Sequence, residues 1–228
     1  MCENCGCDHG HDHHHGNETR IILDKDVLEK NKNLANYSRE NLKENNTILF
    51  NIISSPGSGK TSLLESLIPK INRKSYVIEG DQQTSNDSYR LRRLNIDTVQ
   101  INTGNGCHLD ANMVKSGIDA LAPENNSFVF IENVGNLVCP SLFDLGENYR
   151  IVAISTTEGE DKPLKYPNAF LFADLCIINK IDLLPYLNFN IELLKNNIKS
   201  INPNIKVFEV SATQDIGVDL LVNWLNSK

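Results

Sequence analysis

The chain has 228 residues, a formal charge of −7 at pH 7 with histidine neutral, 40% hydrophobic residues and 22% charged ones. That length can bury a continuous core without disulfide support, so one domain plus appendages is expected. The acidic balance argues against general affinity for nucleic acid or anionic lipid, because there is no basic surplus to neutralise phosphates. An apolar run of the roughly 18 residues needed to span a bilayer is absent, as is the charged-then-apolar layout of a secretory signal, so a cytoplasmic protein is predicted.

The first 17 residues are rich in Gly, His, Asp and Cys and hold almost nothing apolar, which predicts a disordered metal-binding tail. Cys2, Cys5 and Cys7 form C-x-x-C-G-C, followed by His9, His11, His13, His14 and His15. Thiolates and imidazoles capture Ni(II), Zn(II) and Cu ions. In a reducing compartment, closely spaced cysteines read as metal ligands or redox groups rather than bridges. Asp12 interrupts the histidine run, which marks it as native rather than a purification tag. Residues 18–46 form an N-terminal helical segment: Val27, Leu28, Leu34, Tyr37 and Leu42 recur at helical spacing, predicting one or two amphipathic helices that dock on the main domain.

From residue 47 to 228, short apolar runs alternate with helical stretches: Ile48–Ser54, Ser75–Glu79, Ile96–Ile101, Phe128–Glu132, Ile151–Thr156, Leu175–Asn179 and Ile205–Val210. That alternation predicts an α/β fold with a mostly parallel central sheet and helices on both faces. Ligands then gather outside the carboxyl ends of the strands. Cys176, inside an apolar run, reads as core packing.

The first such loop is Ser54-Ser-Pro56-Gly57-Ser58-Gly59-Lys60-Thr61, leading into Ser62 and a helical run. This is a P-loop, the mark of a P-loop NTPase: the backbone from Pro56 to Ser62 cradles phosphates, with N–H donors from Gly57 onward, Lys60 reaches the β/γ-phosphates and the Thr61 hydroxyl binds Mg²⁺. Ser54 stands where the usual pattern begins with glycine. Asn179-Lys180-Ile-Asp182 matches the N-K-x-D element that reads guanine, with the aspartate accepting from the ring N–H and the exocyclic amine. Ser211-Ala212 matches the element that supports the guanine carbonyl, so GTP is expected over ATP. The fourth strand runs into Glu132-Asn-Val-Gly135, similar to a D-x-x-G switch: Glu132 is a candidate for Mg²⁺, and Gly135 for the γ-phosphate. Asp81 and Asp87 are candidates for metal or water orientation, with helix capping as the alternative for Asp87.

A second metal cluster is predicted from Cys107 and His108, after the third strand, and Cys139, after the fourth. Both loops leave the same sheet edge, and two sulfurs with one imidazole suit Zn(II) or Ni(II), with water or a second subunit completing the coordination. The alternative is packing of free cysteines, with His108 capping a helix. Gly135 precedes Cys139 by only four residues, so movement at the γ-phosphate would pull on a metal ligand.

Taken together, C-x-x-C-G-C, the histidine tail, S-P-G-S-G-K-T, Gly80–Thr84 (G-D-Q-Q-T), Gly104–His108, Glu132–Pro140 and N-K-I-D resemble the HypB family of hydrogenase nickel-incorporation GTPases, in the SIMIBI class. The resemblance covers nearly the whole chain. It implies slow hydrolysis of GTP to GDP and delivery of nickel to the large subunit of [NiFe]-hydrogenase, with a zinc-containing HypA-type metallochaperone as partner. It further implies a homodimer, a high-affinity nickel site at Cys2, Cys5 and Cys7, and a second site at Cys107, His108 and Cys139 holding Ni(II) or Zn(II). Leu183 and Leu187, four apart, would share a helical face as a dimer contact or as core packing. Lys162 would reach nucleotide in a partner subunit or remain a solvated lysine. Nickel storage with a vestigial GTPase and urease-type delivery are the rival readings; the latter expects a Cys-Pro-His motif that this sequence lacks.

Overall fold

The structure, a computed structural model, describes residues 17–81, 86–104 and 106–228, with backbone alone for residues 17–26, 86 and 87. The tail ligands Cys2, Cys5, Cys7, His9, His11, His13, His14 and His15 lie outside the described residues, as does the Asp87 side chain.

Seven strands form one sheet: β1 (Ile48–Ser54), β2 (Ser75–Asp81), β3 (Asp97–Asn102), β4 (Phe128–Gly135), β5 (Tyr149–Ser155), β6 (Leu175–Asn179) and β7 (Lys206–Glu209). Their order is β3-β2-β4-β1-β5-β6-β7, and every pairing is parallel. Nine helices are described: α1 (Asn17–Glu44), α2 (Lys60–Leu67), α3 (Asn86–Arg92), α4 (Ala111–Leu121), α5 (Cys139–Leu142), α6 (Lys162–Lys165), α7 (Pro167–Leu171), α8 (Ile191–Ile201) and α9 (Val218–Asn226).

The parallel arrangement follows from strands that are apolar at nearly every position, since both faces must then be covered. Alternate residues of β1 feed opposite cores. Phe50 and Ile52 pack with Leu63 and Leu64 of α2 and Leu221 and Leu225 of α9. On the other face Ile53 joins Leu194 and Ile198 of α8, while Leu49 joins Leu42 of α1 and Val114 of α4. The chain passes from β1 toward β2 and β3 on one side and toward β5, β6 and β7 on the other, so β1 ends at the point where a parallel sheet opens a crevice. No helix among the described residues is long and apolar enough to cross a membrane.

Two expectations change. The N-terminal segment is one helix, and it buries Asn31, Ala35, Ser38 and Leu42, whereas Val27, Leu28 and Tyr37 are exposed. The reason is close approach. A Cβ at Gly146 (φ +85°) would lie 2.7 Å from the Ala35 carbonyl oxygen and 3.4 Å from Ser38 Cβ, so the small side chains of Ala35 and Ser38 sit where α1 meets Gly146. The second change concerns β4, which runs three residues further than expected, so that Asn133, Val134 and Gly135 belong to the strand and not to a loop.

Candidate functional site

The loop joining β1 to α2 wraps a helix N-terminus whose capping residue, Gly59, supplies no side-chain hydrogen bond. The first-turn amides of α2 are therefore available to an anion. Gly59 has φ +93°, and a Cβ there would lie 2.6 Å from Asn179 Nδ2; Gly57 has φ +74°. Ser54 needs no such freedom: its φ is not positive, and it is fully buried at the end of β1. Its hydroxyl donates to the Ser55 carbonyl at 2.9 Å and accepts from Lys60 Nζ at 2.9 Å. Serine in the glycine position thus holds the loop lysine.

Beside it, Thr61 Oγ1 donates to Glu132 Oε1 at 2.7 Å, with both residues buried. A hydroxyl and a carboxylate side by side are the hard oxygen donors that Mg²⁺ requires. Gly135 pairs with Ser54 across the sheet, and a Cβ on it would stand 3.0 Å from Pro56 Cα, so its backbone abuts the phosphate loop. Asp81 closes β2 at the same carboxyl edge, where its carbonyl accepts from Thr103 N–H at 2.9 Å.

The predicted base-reading elements are tied to this loop through Asn179. Its Nδ2 donates to the Ser58 carbonyl at 2.9 Å, and its Oδ1 accepts from Lys180 N–H at 2.8 Å and Ala212 N–H at 3.2 Å. Lys180 Nζ donates to the Gly57 carbonyl at 2.7 Å. One asparagine therefore joins three motifs that lie far apart in sequence. Ser211 Oγ accepts from Gln214 N–H at 3.2 Å, which shapes the turn carrying Ala212. Asp182 Oδ1 is buried with no hydrogen-bond partner among the described residues, as is Ser58 Oγ. A buried carboxylate oxygen in that state fits a ligand bearing N–H donors.

Lys162 is not a free solvated lysine. Its Nζ donates to Ser55 Oγ at 3.3 Å, lies 3.5 Å from Glu158 Oε2 and stands 5.3 Å above the Tyr166 ring. Leu183 and Leu187 do not share an α-helical face. Residues 181–186 form a 3₁₀ helix containing Pro185, and Leu187 is extended. With three residues per turn, positions four apart point in different directions.

At the edge of β4 and α4, Cys107, His108 and Cys139 come together, their donor atoms within 4.8 Å of one another and Cys107 Sγ 3.7 Å from His108 Nδ1. Ligands bound to one zinc at about 2.0–2.3 Å sit roughly 3–4 Å apart, so a small contraction would close the cluster on a metal. Burial lowers the His108 pKa, only partly offset by the Asp110 carboxylate, and favours the neutral imidazole that a metal needs. The ring stacks on Phe143 with centroids 4.0 Å apart. His108 therefore faces the sulfurs instead of capping a helix; Asp110 caps α4, accepting from Met113 N–H at 2.7 Å.

A frame of buried polar side chains around this cluster was not foreseen from sequence. Asn133 Oδ1 accepts from Leu109 N–H at 3.3 Å, and its Nδ2 donates to Asn51 Oδ1 at 3.2 Å. Asn51 Nδ2 donates to Glu147 Oε1 at 3.2 Å, and Glu147 pairs with Arg150 at 2.6 Å. Arg150 in turn donates to the Ser141 and Phe143 carbonyls, both at 3.0 Å. The frame thus runs from the segment after His108 to the segment after Cys139. Asn51, Glu147 and Arg150 match no motif, and Asn133, although it lies within Glu132–Pro140, was read only as part of the switch, so the frame itself left no signal in the chain.

The family model described as CobW/HypB/UreG, nucleotide-binding domain, matches residues 48–209. The hydrogenase maturation factor HypB of Rhizobium leguminosarum bv. viciae is 51% identical over 211 residues, covering 91% of this chain and 71% of that protein. The chain belongs to the HypB family. Its relative in Escherichia coli (strain K12), also a hydrogenase maturation factor HypB, is 46% identical over 210 residues, 91% of this chain and 72% of the relative. Among solved structures, that of HypB from Helicobacter pylori in complex with nickel matches with a TM-score of 0.84 and 39% identity, over 87% of this chain and 94% of that one. The family model thus covers the nucleotide-binding domain of this chain, and the nickel is a property of the Helicobacter pylori relative.

Proposed function

We propose that this HypB-family chain is a GTP-hydrolysing nickel carrier in which the nucleotide gates the Cys107/His108/Cys139 cluster. The observation that carries this reading is the course of β4. Glu132 meets Thr61, Gly135 abuts Pro56, and Cys139 follows four residues later. A strand that touches the phosphate loop and leads within four residues to a cluster cysteine can pass movement between them.

In this reading the backbone N–H groups from Gly57 to Ser62 hold the phosphates, with Pro56 shaping the start of the loop, and Lys60 leaves Ser54 for the β/γ-phosphates. Asp182 accepts from the guanine ring N–H and amine, the Lys180 stem lies along the base, and Ala212 supports the carbonyl. Thr61 and Glu132 hold Mg²⁺, which when bound neutralises charge on the phosphate oxygens. Asp81 orients the attacking water. Gly135 donates its N–H to the γ-phosphate. Hydrolysis to GDP and phosphate removes that acceptor, β4 relaxes, and Cys139 shifts relative to Cys107 and His108. Nickel, captured by Cys2, Cys5 and Cys7 and stored on the histidines of the tail in residues 1–17, then passes through the body cluster. From there it goes to a HypA-type partner or to the [NiFe]-hydrogenase large subunit, with the chain acting as a homodimer. Zinc is the second ion that two sulfurs and an imidazole suit.

The test is nickel release from the loaded protein with GTP or a non-hydrolysable analogue, in the unsubstituted chain and in Lys60→Ala. Release that is faster with GTP and lost in Lys60→Ala is expected. Identical release in all arms would make the protein a nickel store with an uncoupled GTPase. Urease supply is a second reading, supported by a relative 40% identical over 211 residues named as the hydrogenase/urease maturation factor HypB of Helicobacter pylori (strain J99 / ATCC 700824). Nickel transfer to apo-urease from the loaded chain would distinguish it.

A further inference from the structure

Helix α1 lies outside the sheet, yet one of its side chains touches both segments that carry the metal ligands. Asn31 Nδ2 donates to the Asp144 carbonyl at 2.7 Å, and Asn31 Oδ1 accepts from Ala111 N–H at 2.8 Å. These partners are 113 and 80 residues away along the chain. Ala111 stands three residues after His108 and opens α4, while Asp144 follows Phe143, the ring on which His108 stacks. Asn31 is 7% exposed. A primary amide donates through its nitrogen and accepts through its oxygen, so one side chain serves both partners. Here it closes a bridge from the exit of the Cys107–His108 loop to the exit of the Cys139 helix.

We propose that Asn31 is a positioning residue for the Cys107/His108/Cys139 cluster, setting the separation of its two ligand-bearing segments from the N-terminal helix. The inference rests on the reading that this cluster binds metal. The mechanism is preorganisation: with both segments fixed, the donor atoms are already near one another, and the ion does not have to order them. Without the amide, Ala111 N–H and the Asp144 carbonyl each lose a partner, and the loops can separate. Both hydrogen-bond partners of Asn31 lie outside the nucleotide loop, so its effect should be confined to the metal. It also gives α1, the helix that directly follows the Cys/His tail in sequence, a physical connection to the second metal site.

The experiment uses the full chain with Cys2, Cys5 and Cys7 replaced by alanine, so that the sulfur-to-nickel charge-transfer band reports Cys107 and Cys139 alone. Ni(II) titration is followed by that band, and a fluorescent GDP analogue measures nucleotide affinity. Asn31→Leu, which removes both bonds, is expected to weaken Ni(II) roughly tenfold. Asn31→Asp, which keeps the acceptor for Ala111, should lose less and retain the position of the band, and both variants should bind nucleotide as the unsubstituted chain does. Should Asn31→Leu fail to fold, Asn31→Asp decides by its own affinity. Unchanged Ni(II) binding in folded variants overturns the proposal, and so does an equal loss of nickel and nucleotide affinity, which would mark general destabilisation. A missing band in the chain with Asn31 intact would overturn the metal assignment itself and this inference with it.

Discussion

The nucleotide loop and the cysteine–histidine cluster occupy the same carboxyl edge of one sheet, but they are built by different means. The loop is one contiguous stretch that presents its backbone, with positive φ at Gly57 and Gly59 and an uncapped helix start behind it. The cluster draws its donor atoms from the loop after β3 and from the start of α5, and a chain of polar side chains, Asn133, Asn51, Glu147 and Arg150, links the segments that follow them. The difference teaches that a backbone site tolerates change around it and fails when its own residues change. A side-chain site fails from its frame.

The most severe way to break that frame is Arg150→Ala. The guanidinium and its Glu147 partner are 11% and 6% exposed, so the substitution leaves a buried carboxylate uncompensated. We expect a loss of about 3–5 kcal/mol in urea unfolding. A shift below about 1 kcal/mol would show that water reaches Glu147 and that the frame is softer than described. Next comes Lys60→Ala, which should lower kcat for phosphate release roughly 100- to 1,000-fold by removing one preorganised cationic donor. Nickel affinity measured without nucleotide should stay as it was; if it falls too, the two regions are one site. Asp182→Asn should reduce the preference for GTP over ATP by about 100-fold in competition, since two bonds to a charged acceptor are worth roughly 1.5–3 kcal/mol each.

These expectations also mark what the sequence disclosed. Gly57, Gly59, Lys60, Asn179 and Asp182 were legible as members of motifs with set residue types at set spacings, and the structure brings Asn179 and Lys180 onto the loop that carries Lys60. The seven strands were legible because burial on both faces leaves apolar runs, and β6 has the bounds read from sequence. Cys107, His108 and Cys139 could be brought together because both loops leave one sheet edge. The frame was not legible. Asn31, Asn51 and Asn133 are ordinary asparagines whose roles arise only when residues about 80 to 113 positions apart meet. The buried face of α1 was misread for a related reason: contact with Gly146 selects Ala35 and Ser38, and hydrophobicity alone does not predict that.

Asn133→Leu tests the link between the regions. It should weaken Ni(II) binding at the body cluster by roughly tenfold and flatten its response to GTP, because Leu109 loses its acceptor on β4. A variant with weaker nickel binding but an undiminished GTP response would confine the coupling to Cys139. The smallest effect belongs to Lys165→Ala, whose ion pair with Asp161 is exposed on both sides. Urea midpoint and nucleotide affinity should not move measurably.

Cys176 offers a use that neither region supplies. It is fully buried within β6, where burial, with the Glu158 carboxylate adding to it, raises its thiol pKa far above the ordinary value, so it stays protonated and unreactive. In timed alkylation, Cys107 would be modified as the cluster breathes, whereas Cys176 would be modified only when the sheet comes apart. A single mass spectrum would then hold two clocks, one for local opening at the metal and one for the life of the fold.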